Sequence, residues 1–369
     1  MLENEMDLNV NNKRIGRATV KVIGVGGGGS NAVNRMYSEE LEGIEYICVN
    51  TDAQHLMGLE VPTRISIGEK LTRGLGVGGS SDLGKDSAEE SRDQLYECLR
   101  GADMVFVAAG MGGGTGTGAC PIVAEIAKET GALTIAVVTK PFGFEGHKRK
   151  KAAEDGIAQL RDRVDSLIII PNDRLLQISD TELTTDDAFK MADDVLRQGI
   201  QSIAELVTKS GTINLDFADV KTIMSGAGPA WMAIGNARGE NRAVEAAKAA
   251  INSPLLDVSI DGAKGVLLNV SGGIDLTLNE VQKAADLIES IVDPDANIIF
   301  GMSNDPKLED EVSITIIATG FQAAENVIPN SDDLLSQLDI EVLDSEDALD
   351  IPPFIRRNKT FNKRGILGF

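Results

Sequence analysis

The sequence contains few aromatic residues, few histidines and few cysteines. Aromatic residues make up 4% of the 369 residues, so we expect aliphatic side chains to form the core. The cysteines, Cys48, Cys98 and Cys120, are widely spaced, with no CxxC pair and no metal-binding spacing. This pattern excludes a disulfide scaffold or a zinc module and is typical of a reducing cytoplasm.

Long apolar runs and an excess of positive charge are also lacking. No run of about 18 apolar residues occurs, and the first residues contain no apolar stretch like that of a signal peptide. We therefore expect a protein that neither spans a membrane nor is exported by that route. The formal net charge of −22 argues against a nucleic-acid partner, because duplex phosphates require clustered Lys and Arg. It does not exclude single nucleotides.

What the chain does have is a regular alternation of apolar, β-rich runs with helical patterns. A polar or amphipathic segment follows each of the runs TVKVIGVG, IEYICVN, DMVFVAAG, LTIAVVTKP and SLIIIPN. Near-continuous apolar strands that alternate with helices predict an α/β fold with a parallel sheet buried on both faces. Residues 183–208 predict one long helix, and a smaller α/β unit follows it.

Length and charge predict how the chain is divided. A length of 369 residues favours two folded units with tails. Residues 325–350 carry nine acidic side chains, and no Lys or Arg lies between Lys307 and Arg356, which is typical of a solvated linker. The predicted parts are a flexible N-terminal segment (1–18), a first domain (19–184), a connecting helix (185–208), a second domain (209–320), an acidic linker (321–348) and a C-terminal peptide with a basic tail (349–369).

The first of three glycine clusters is GVGGGGSN, residues 24–31. It follows a strand and opens a helix, so its backbone N–H groups and the helix dipole are suited to a phosphate. Gly24, Gly26 and Gly29, with Asp52 further on, also match a dinucleotide-binding fingerprint. A tight strand-to-helix turn without a ligand is the alternative.

The second cluster, GGSSDLGKD at residues 78–86, nearly matches a Walker A loop. Asp86 stands where that motif requires the Ser or Thr that binds magnesium. We interpret the cluster as a surface loop before a helix over SAEESRDQLYECLR.

The third cluster, GMGGGTGTG at residues 110–118, follows the apolar strand DMVFVA. Consecutive glycines let backbone N–H groups touch an oxygen-rich ligand, and Thr115 and Thr117 would add hydroxyl donors. A flexible linker is the alternative, but linkers rarely stand between a strand and a helix. We therefore predict a phosphate-binding loop.

GGGTGTG after an apolar strand resembles the signature loop of the tubulin/FtsZ superfamily of GTPases, which use no Walker lysine. Further motifs over residues 20–357 resemble the FtsZ family more than tubulin: GVGGGGSNAVNRM, VNTDAQHL, TKPFGFEGHKR, IPNDRLL, DAFKMADDVL, NLDFADV and DIPPFIRR. The resemblance implies a Rossmann-like GTP-binding domain, a central helix, a smaller α/β activation domain and a disordered tail.

The resemblance also implies residues for the phosphates and sugar of GTP. Mg²⁺ would accompany the nucleotide, and a requirement for K⁺ stays open. Glu145 and Arg149 match a pair near the sugar and phosphates, although their spacing alone favours a surface ion pair. The residues implied for the phosphates are Gly27, Gly28, Gly29, Ser30, Asn31, Gly112, Gly113, Gly114, Thr115 and Gly116.

The implied base pocket consists of Asn172, Phe189 and Asp193. Phe189 and Asp193 are four residues apart on the long helix, so a ring can stack on the base while a carboxylate accepts from its edge. Guanine offers two adjacent N–H donors there whereas adenine presents an acceptor, which favours GTP. From spacing alone, Phe189 would be a core residue and Asp193 a solvated one.

In the resembled family, catalysis depends on the motif NLDFADV, which implies Asp216 and Asp219 with Asn214 nearby. This loop would reach the nucleotide of the next subunit, so GTP would be hydrolysed within a head-to-tail filament that forms the bacterial cytokinetic ring. From the sequence alone, the two aspartates would cap a helix.

The C-terminal motif LDIPPFIRR resembles a peptide that docks on membrane-tethering and regulatory division proteins. Its anchors would be Ile351, Phe354 and Ile355, with Arg356 supplying charge. The protein would then act in the cytoplasm at midcell, on the inner face of the membrane. The basic extension NKTFNKRGILGF either touches anionic lipid weakly or is solvated.

Two rival functions stand beside this interpretation. One is a polymer that binds GTP without significant hydrolysis, against which the presence of Asp216 and Asp219 argues. The other is a Rossmann-type NAD(P) oxidoreductase, which would leave the second phosphate loop unexplained. His55 and His147 are the only histidines, and no Cys, His or Tyr constellation for hydride transfer is evident.

Overall fold

The structure is a computed structural model that describes residues 18–39, 43–177, 184–208, 216–253, 262–304 and 308–321. The strands in these ranges are β1 (Val20–Val25), β2 (Ile44–Asn50), β3 (Thr63–Ser66), β4 (Met104–Gly110), β5 (Leu133–Lys140), β6 (Ser166–Pro171), β7 (Gly228–Arg238), β8 (Gly265–Gly272), β9 (Asn297–Asn304) and β10 (Glu311–Thr319). They form one sheet in the order β3-β2-β1-β4-β5-β6-β7-β10-β8-β9.

The helices of the same ranges connect and cover these strands. They are α1 (Gly26–Ser38), α2 (Ala53–Met57), α3 (Glu69–Thr72), α4 (Ser81–Glu90), α5 (Arg92–Leu99), α6 (Thr115–Glu129), α7 (His147–Arg161), α8 (Asn172–Leu175), α9 (Thr185–Thr208), α10 (Phe217–Met224), α11 (Arg242–Ile251) and α12 (Leu278–Glu289). A 3₁₀ turn covers Gly143–Glu145. None of the helices in the described ranges combines the length and apolar character needed to cross a lipid bilayer.

Strands β1 to β6 are parallel. The central strands β1, β4 and β5 are buried on both faces, whereas the edge strand β3 is partly exposed. Along β4, Met104 and Phe106 pack in the cluster that contains α1 and α9, whereas Val105 and Val107 pack in the cluster that contains α5 and α6. Successive side chains of a strand point to opposite faces of the sheet. A strand covered on both faces must therefore be apolar throughout, which explains the run DMVFVA.

The long helix predicted over residues 183–208 is present as α9, with 24 residues. It buries Leu196, Ile200 and Ile203 against the sheet. A Cβ at Gly199 would lie 3.0 Å from the Met232 side chain on β7, so glycine lets α9 approach that strand closely. The helix thus supports the sheet at the point where its two halves meet.

The second half of the sheet is mixed. Strand β10 runs antiparallel to both β7 and β8, and β8 is parallel to β9. Only three residue pairs, beginning with Ser166 opposite Gly228, join β7 to β6. A separate core cluster covers this half with the alanines of α11 and the apolar face of α12.

The predicted α/β fold is confirmed: a Rossmann-like parallel sheet, a central helix and a smaller α/β domain. The N-terminal segment is predicted over residues 1–18, of which residue 18 is described. The linker is predicted over residues 321–348, of which residue 321 is described, and the whole C-terminal peptide and tail at 349–369 lies outside the described residues.

One expectation was wrong, because the second glycine cluster is not only a surface loop. Helix α4 already begins at Ser81, and the Ser80 hydroxyl caps it by accepting from Leu83 N–H. A Cβ at Gly84 would lie 2.5 Å from the Gly114 carbonyl oxygen. Gly84 is therefore a packing residue that brings α4 against the signature loop, and the resemblance to a Walker motif is incidental.

Candidate functional site

A cavity of about 630 Å³ lies at the carboxyl ends of the parallel strands. We call it the central cavity. Both phosphate-loop candidates lie on its wall, one after β1 and one after β4. The order β3-β2-β1-β4 reverses direction between these two strands, and such a switch point is where open α/β sheets bind ligands.

The first glycine cluster divides into exposed and packed residues. Gly27, Gly28 and Asn31 line the central cavity, and a Cβ at Gly27 would meet nothing within 4 Å. Gly29 and Ser30 are buried behind it. A Cβ at Gly29 would lie 2.1 Å from the Ala108 carbonyl oxygen, and the Ser30 hydroxyl donates to the Gly24 carbonyl oxygen at 3.3 Å.

The signature cluster divides in the same way. Gly113, Gly114, Thr115 and Gly116 line the central cavity, whereas Gly112 does not. The Gly112 N–H donates to the Thr117 hydroxyl at 2.8 Å, so Thr117 holds the loop from behind. Only part of each glycine run therefore exposes backbone to a ligand, and the rest allows close packing.

Close packing brings the amino ends of two helices together. A Cβ at Gly26 would lie 2.7 Å from the backbone nitrogen of Gly116, so glycine is required where α1 meets α6. Neither helix has a side-chain hydrogen bond at its N-cap. Their unpaired N–H groups and positive dipole ends favour an anion between them. No lysine lines the cavity among the described residues, and Arg149 is the arginine on its wall.

Polar residues that follow β2 form another wall that sequence reasoning did not assign to the GTP site. Asn50, Thr51, Asp52 and His55 all line the central cavity. The Thr51 and Thr115 hydroxyls are 2.6 Å apart, which couples this wall to the signature loop. A run of polar residues directly after a buried strand was the available signal. The Asp52 carboxylate caps α2 by accepting from His55 N–H at 3.1 Å, unlike the ribose-binding acid of a dinucleotide fold.

A glycine-rich loop lies directly beside the wall after β2, and sequence reasoning also missed it. Residues 76–79 line the central cavity. The φ angles of Gly76, Gly78 and Gly79 are 79°, 57° and 87°, a left-handed conformation that side chains disfavour. The Gly76 N–H donates to the Thr51 carbonyl oxygen at 3.1 Å. The density of glycine over residues 74–79 was the signal that could have identified this loop.

Glu145 and Arg149 form the ion pair that their spacing predicts, and both line the central cavity. Glu145 Oε2 accepts from Arg149 at 2.5 Å, and Glu145 Oε1 accepts from Phe142 N–H at 2.9 Å. The carboxylate is nearly buried, whereas the arginine is more than half exposed. Glu145 thus holds the Arg149 guanidinium at the wall of the cavity.

The base-pocket candidates come together on one side of the cavity. Phe189 and Asp193 project from α9, and Asn172 lies at the start of α8. The Phe189 ring is 39% exposed and meets the Phe142 ring edge to face, at 5.6 Å between centroids. A core role for Phe189, which spacing alone favours, is therefore wrong, because the side chain borders the cavity.

Asn172 and Asp193 are unusual because their polar side chains are largely buried and have few hydrogen-bond donors around them. Asn172 is 4% exposed, and its side-chain oxygen has no hydrogen-bond partner within the described ranges. Burial, more than the neighbouring Asp194, raises the pKa of Asp193 to about 6, although Arg35 at 3.5 Å opposes this. An unpaired amide oxygen and a carboxylate short of donors match a ligand with several N–H groups.

Asp216 and Asp219 lie apart from this arrangement. Asp216 is the N-cap residue of α10 without a side-chain capping bond, and Asp219 lies in the first turn. Both are exposed, and neither lines the central cavity. Their side chains form no hydrogen bond or ion pair with other residues in the described part of the chain. Asn214, and the tail residues Ile351, Phe354, Ile355 and Arg356, lie outside the described residues.

Comparison with known proteins gives the class. Residues 19–180 match the GTPase domain of the tubulin/FtsZ family, and residues 228–322 match the C-terminal domain of the FtsZ family. The fold and the central cavity are those of a tubulin-like GTPase. This class includes proteins that form polymers. The chain belongs to the FtsZ family.

Solved structures agree with this assignment. An empty FtsZ dimer from M. jannaschii is 44% identical, covers 86% of this chain and 93% of its own, and superposes with a TM-score of 0.81. A GTPγS-bound CetZ2 protofilament from Haloferax volcanii is 20% identical over 84% of this chain and 95% of its own, with a TM-score of 0.71. At that identity the second match shows the fold alone.

Proposed function

We propose that this chain is a self-assembling GTPase that polymerises head to tail, and that the filament forms the cytokinetic ring at the division site of the cell. GTP would be hydrolysed between adjacent subunits. The observation that carries the proposal is the central cavity. Two uncapped helix ends suited to phosphates share it with an unpaired amide and a poorly solvated carboxylate suited to guanine.

Guanine is the base that fits the side of the cavity formed by α9 and α8. Its N1–H and exocyclic amino group would donate to the Asp193 carboxylate, and one of its donors or the ribose would satisfy Asn172 Oδ1. The ring would stack beside Phe189. Adenine places an acceptor against the carboxylate, and the resulting repulsion would exclude ATP.

The triphosphate would lie across the amino ends of α1 and α6, against Gly27, Gly28 and residues 113–116. Mg²⁺ would neutralise its charge when bound, since Mg²⁺ is usually held by phosphate oxygens and one or two carboxylates. Asp52 fits this role, because its second carboxylate oxygen has no hydrogen bond to a described residue. Arg149 would add positive charge from the rim.

The attacking water would be positioned by Asp216 and Asp219 of the next subunit, with Asn214. Their exposure, and their position away from the chain's own cavity, support this arrangement. Phosphoryl transfer depends mainly on positioning and charge stabilisation, so a single subunit would bind GTP but hydrolyse it slowly. A head-to-tail contact uses two different surfaces and therefore generates an open filament.

Exposed apolar side chains provide surfaces for such a contact. Next to the central cavity, Leu75 is 83% exposed and Met57 is 79% exposed. In the second domain, Ile274 is 91% exposed and Leu278 is 71% exposed. Leucine and isoleucine side chains so open to water are stabilised when another surface covers them. We propose that these two pairs belong to opposite faces of the contact.

The cellular role extends to the tail. The peptide with Ile351, Phe354, Ile355 and Arg356 would bind membrane-tethering and regulatory division proteins, which would place the filament in the cytoplasm at midcell. Membrane contact would then be indirect, apart from any weak contact by the basic extension. The relatives compared above come from M. jannaschii and Haloferax volcanii, so the role at a bacterial division site stays a prediction.

The decisive experiment measures GTP turnover per subunit and light scattering against protein concentration, for the wild type and Asp216→Ala. We expect turnover to begin at the concentration where scattering begins. Asp216→Ala should assemble but lose about a hundredfold in turnover, the order expected when a group that activates water is removed. Asp93→Ala is the matched control, because Asp93 is an exposed first-turn aspartate of another helix, α5, and should behave as the wild type.

Other outcomes contradict parts of the proposal. Turnover per subunit that is constant from the lowest concentration would show a site complete within one chain. Filaments that form without consuming GTP would support the rival structural polymer. Equal loss of turnover in Asp93→Ala would mean that the effect of Asp216→Ala is not specific to α10.

A further inference from the structure

The turn between β8 and α12 presents an apolar side chain to solvent on a closely confined backbone. The Leu276 N–H donates to the Gly273 carbonyl oxygen at 3.2 Å, which closes a four-residue turn. A Cβ at Gly273 would lie 2.7 Å from the Leu308 carbonyl oxygen, so glycine lets the turn lie against the segment before β10. Ile274, the second residue of the turn, is almost fully exposed. This exposed side chain therefore stands on a backbone that is held from two directions.

Arg242, the first residue of α11, joins this turn to the start of α12. Its guanidinium donates to Asp275 Oδ2 at 2.6 Å, to the Asp275 carbonyl oxygen at 3.4 Å and to Glu280 Oε1 at 2.9 Å. Asp275 directly follows Ile274 in the turn. Glu280 is two residues beyond Leu278, the exposed first residue of α12. One guanidinium therefore fixes the spacing between the two exposed apolar side chains, Ile274 and Leu278.

Glu280 also ties the same guanidinium to the cap of α12. Its Oε2 accepts from the Thr277 N–H at 2.9 Å and from the Thr277 hydroxyl at 2.7 Å, and Thr277 caps the helix in return. Although burial raises the pKa of Glu280, the hydrogen bonds from Arg242 and Thr277 lower it to about 2. The carboxylate therefore stays ionised, and its bond to Arg242 stays charge-assisted, down to acidic pH.

The burial of Arg242 limits how it can act. Its side chain is 7% exposed, whereas the Asp275 side chain is about half exposed. A guanidinium covered to this extent does not reach the surface of another subunit. Any effect of Arg242 on assembly must therefore pass through the residues that it holds. Its two carboxylate partners compensate the cost of burying the charge.

We propose that Arg242 is a positioning residue for self-assembly, which holds Ile274 and Leu278 in the arrangement that a second copy of the chain covers. A turn that is already ordered loses less conformational freedom on binding, which strengthens the contact. Without its bonds to Arg242, the turn would no longer keep Ile274 at a fixed distance from Leu278. The inference rests on the proposed assembly contact through these two side chains.

The first test measures the protein concentration at which GTP-dependent light scattering begins. We expect Asp275→Ala to raise this threshold about fivefold, the order expected when a turn must be ordered on binding, and to leave GTP binding to the subunit unchanged. Asp275→Asn should keep the threshold within about twofold of the wild type, because the amide oxygen still accepts from Arg242. Glu245→Ala is the matched control, because Glu245 is an exposed acid of α11 that pairs with Lys248, and it should behave as the wild type.

Two double-mutant cycles separate positioning from direct contact and from a general loss of stability. If Asp275 acts by holding Ile274, the variant Asp275→Ala/Ile274→Ala should have the same threshold as Ile274→Ala alone. If Asp275 acts through Arg242, the variant Arg242→Met/Asp275→Ala should have the same threshold as Arg242→Met. Additive increases in either cycle would overturn the proposal. Denaturant unfolding is measured in parallel, and the cycle with Ile274→Ala decides the question if Arg242→Met does not fold.

The outcomes also separate this inference from the proposed function. If the wild type binds GTP and never assembles, the proposed function and this inference fail together. If Ile274→Glu/Leu278→Glu assembles as the wild type does, the contact lies elsewhere and Arg242 has no role in it. If that double variant does not assemble while Asp275→Ala assembles at the wild-type threshold, only the role of Arg242 is refuted.

Discussion

Several polar side chains around the central cavity are hydrogen-bonded, whereas those at the start of α10 have no such bond to a described residue. Around the cavity, Thr51, Glu145 and Thr115 are tied to one another or to backbone groups by short hydrogen bonds. At α10, the Asp216 and Asp219 side chains are exposed and have no partner in the described part of the chain. The central cavity is therefore pre-organised within one chain, whereas the two carboxylates of α10 face the solvent. This difference is what the proposed division of binding and hydrolysis between subunits requires.

The largest effect is expected on folding stability, from a substitution at Gly29 behind the central cavity. A Cβ there would lie 2.1 Å from the Ala108 carbonyl oxygen. Because this oxygen belongs to the backbone of β4, no side-chain rotation can relieve the clash. We expect Gly29→Ala to cost about 3 kcal/mol or more of folding stability, despite the helix propensity of alanine. Denaturant unfolding and GTP binding measure it.

Gly27→Ala is the matched control in the same helix turn. A Cβ at Gly27 meets nothing within 4 Å, so stability should be unchanged or slightly raised. GTP affinity alone should fall, because the new methyl group enters the cavity. If Gly29→Ala is as stable as Gly27→Ala, the division of the cluster into packed and ligand-facing glycines is wrong.

The next effect tests the outward-facing side of the comparison. The double variant Ile274→Glu/Leu278→Glu places charge on side chains that are 91% and 71% exposed. Leu278 is the first residue of α12, where an acid suits the helix dipole, so the fold should persist. We expect GTP turnover to fall about tenfold or more with loss of light scattering, whereas binding of GTP to the subunit stays unchanged.

Tyr96→Glu, at an exposed apolar position on α5, is the control for that variant. It should assemble and turn over GTP normally. Loss of turnover with undiminished scattering in the double variant would mean that Ile274 and Leu278 lie outside the assembly contact.

The smallest effect concerns Asp193 in the central cavity, whose contribution to folding stability depends on pH. The pKa of Asp193 is raised to about 6, so the folded protein binds this proton more tightly than the unfolded chain. The ionised carboxylate therefore opposes folding above that pH, and the destabilisation disappears as the pH falls through 6 towards the ordinary range of aspartate. Asp193→Asn should be more stable at pH 7 by about 1–3 kcal/mol.

Guanine recognition should show the opposite dependence, since it needs the ionised form. The ratio of GTP to ITP affinity should fall as the pH is lowered through 6, because ITP lacks the 2-amino group and its phosphates titrate alike. Asp193→Asn should show a low ratio at every pH. A wild-type ratio that is constant from pH 5 to 8 would remove Asp193 from the base pocket.

The alternation of apolar runs with helical patterns predicted most of the fold, because burial on both faces leaves a strong local signal. Strand β7 was not predicted, since Pro229 and Gly235 weaken its strand pattern, and its place is set by pairing with β10 and packing of α11. The cluster at residues 78–86 was misread because Ser80 and Gly84 owe their roles to capping and to contact with Gly114, which is distant in sequence.

The candidate site was predictable in outline from its glycine loops and from the family resemblance. Sequence could not separate Gly27 from Gly29, because the difference lies in what stands opposite each Cα after folding. Nor could it reveal the wall after β2, where Thr51 meets Thr115 across 64 residues of sequence. Contacts between loops of different strands leave no periodic pattern in the chain.

The short pairing between β6 and β7 lies beside a natural fluorescent probe. Trp231 is the only tryptophan, and it lies on β7 next to Ala230, the last residue of that strand paired with β6. It is half-buried and faces Ala318 on β10 in the register. The intrinsic tryptophan fluorescence of the whole chain therefore originates at the border of the two domains, so emission can follow changes there without an added label.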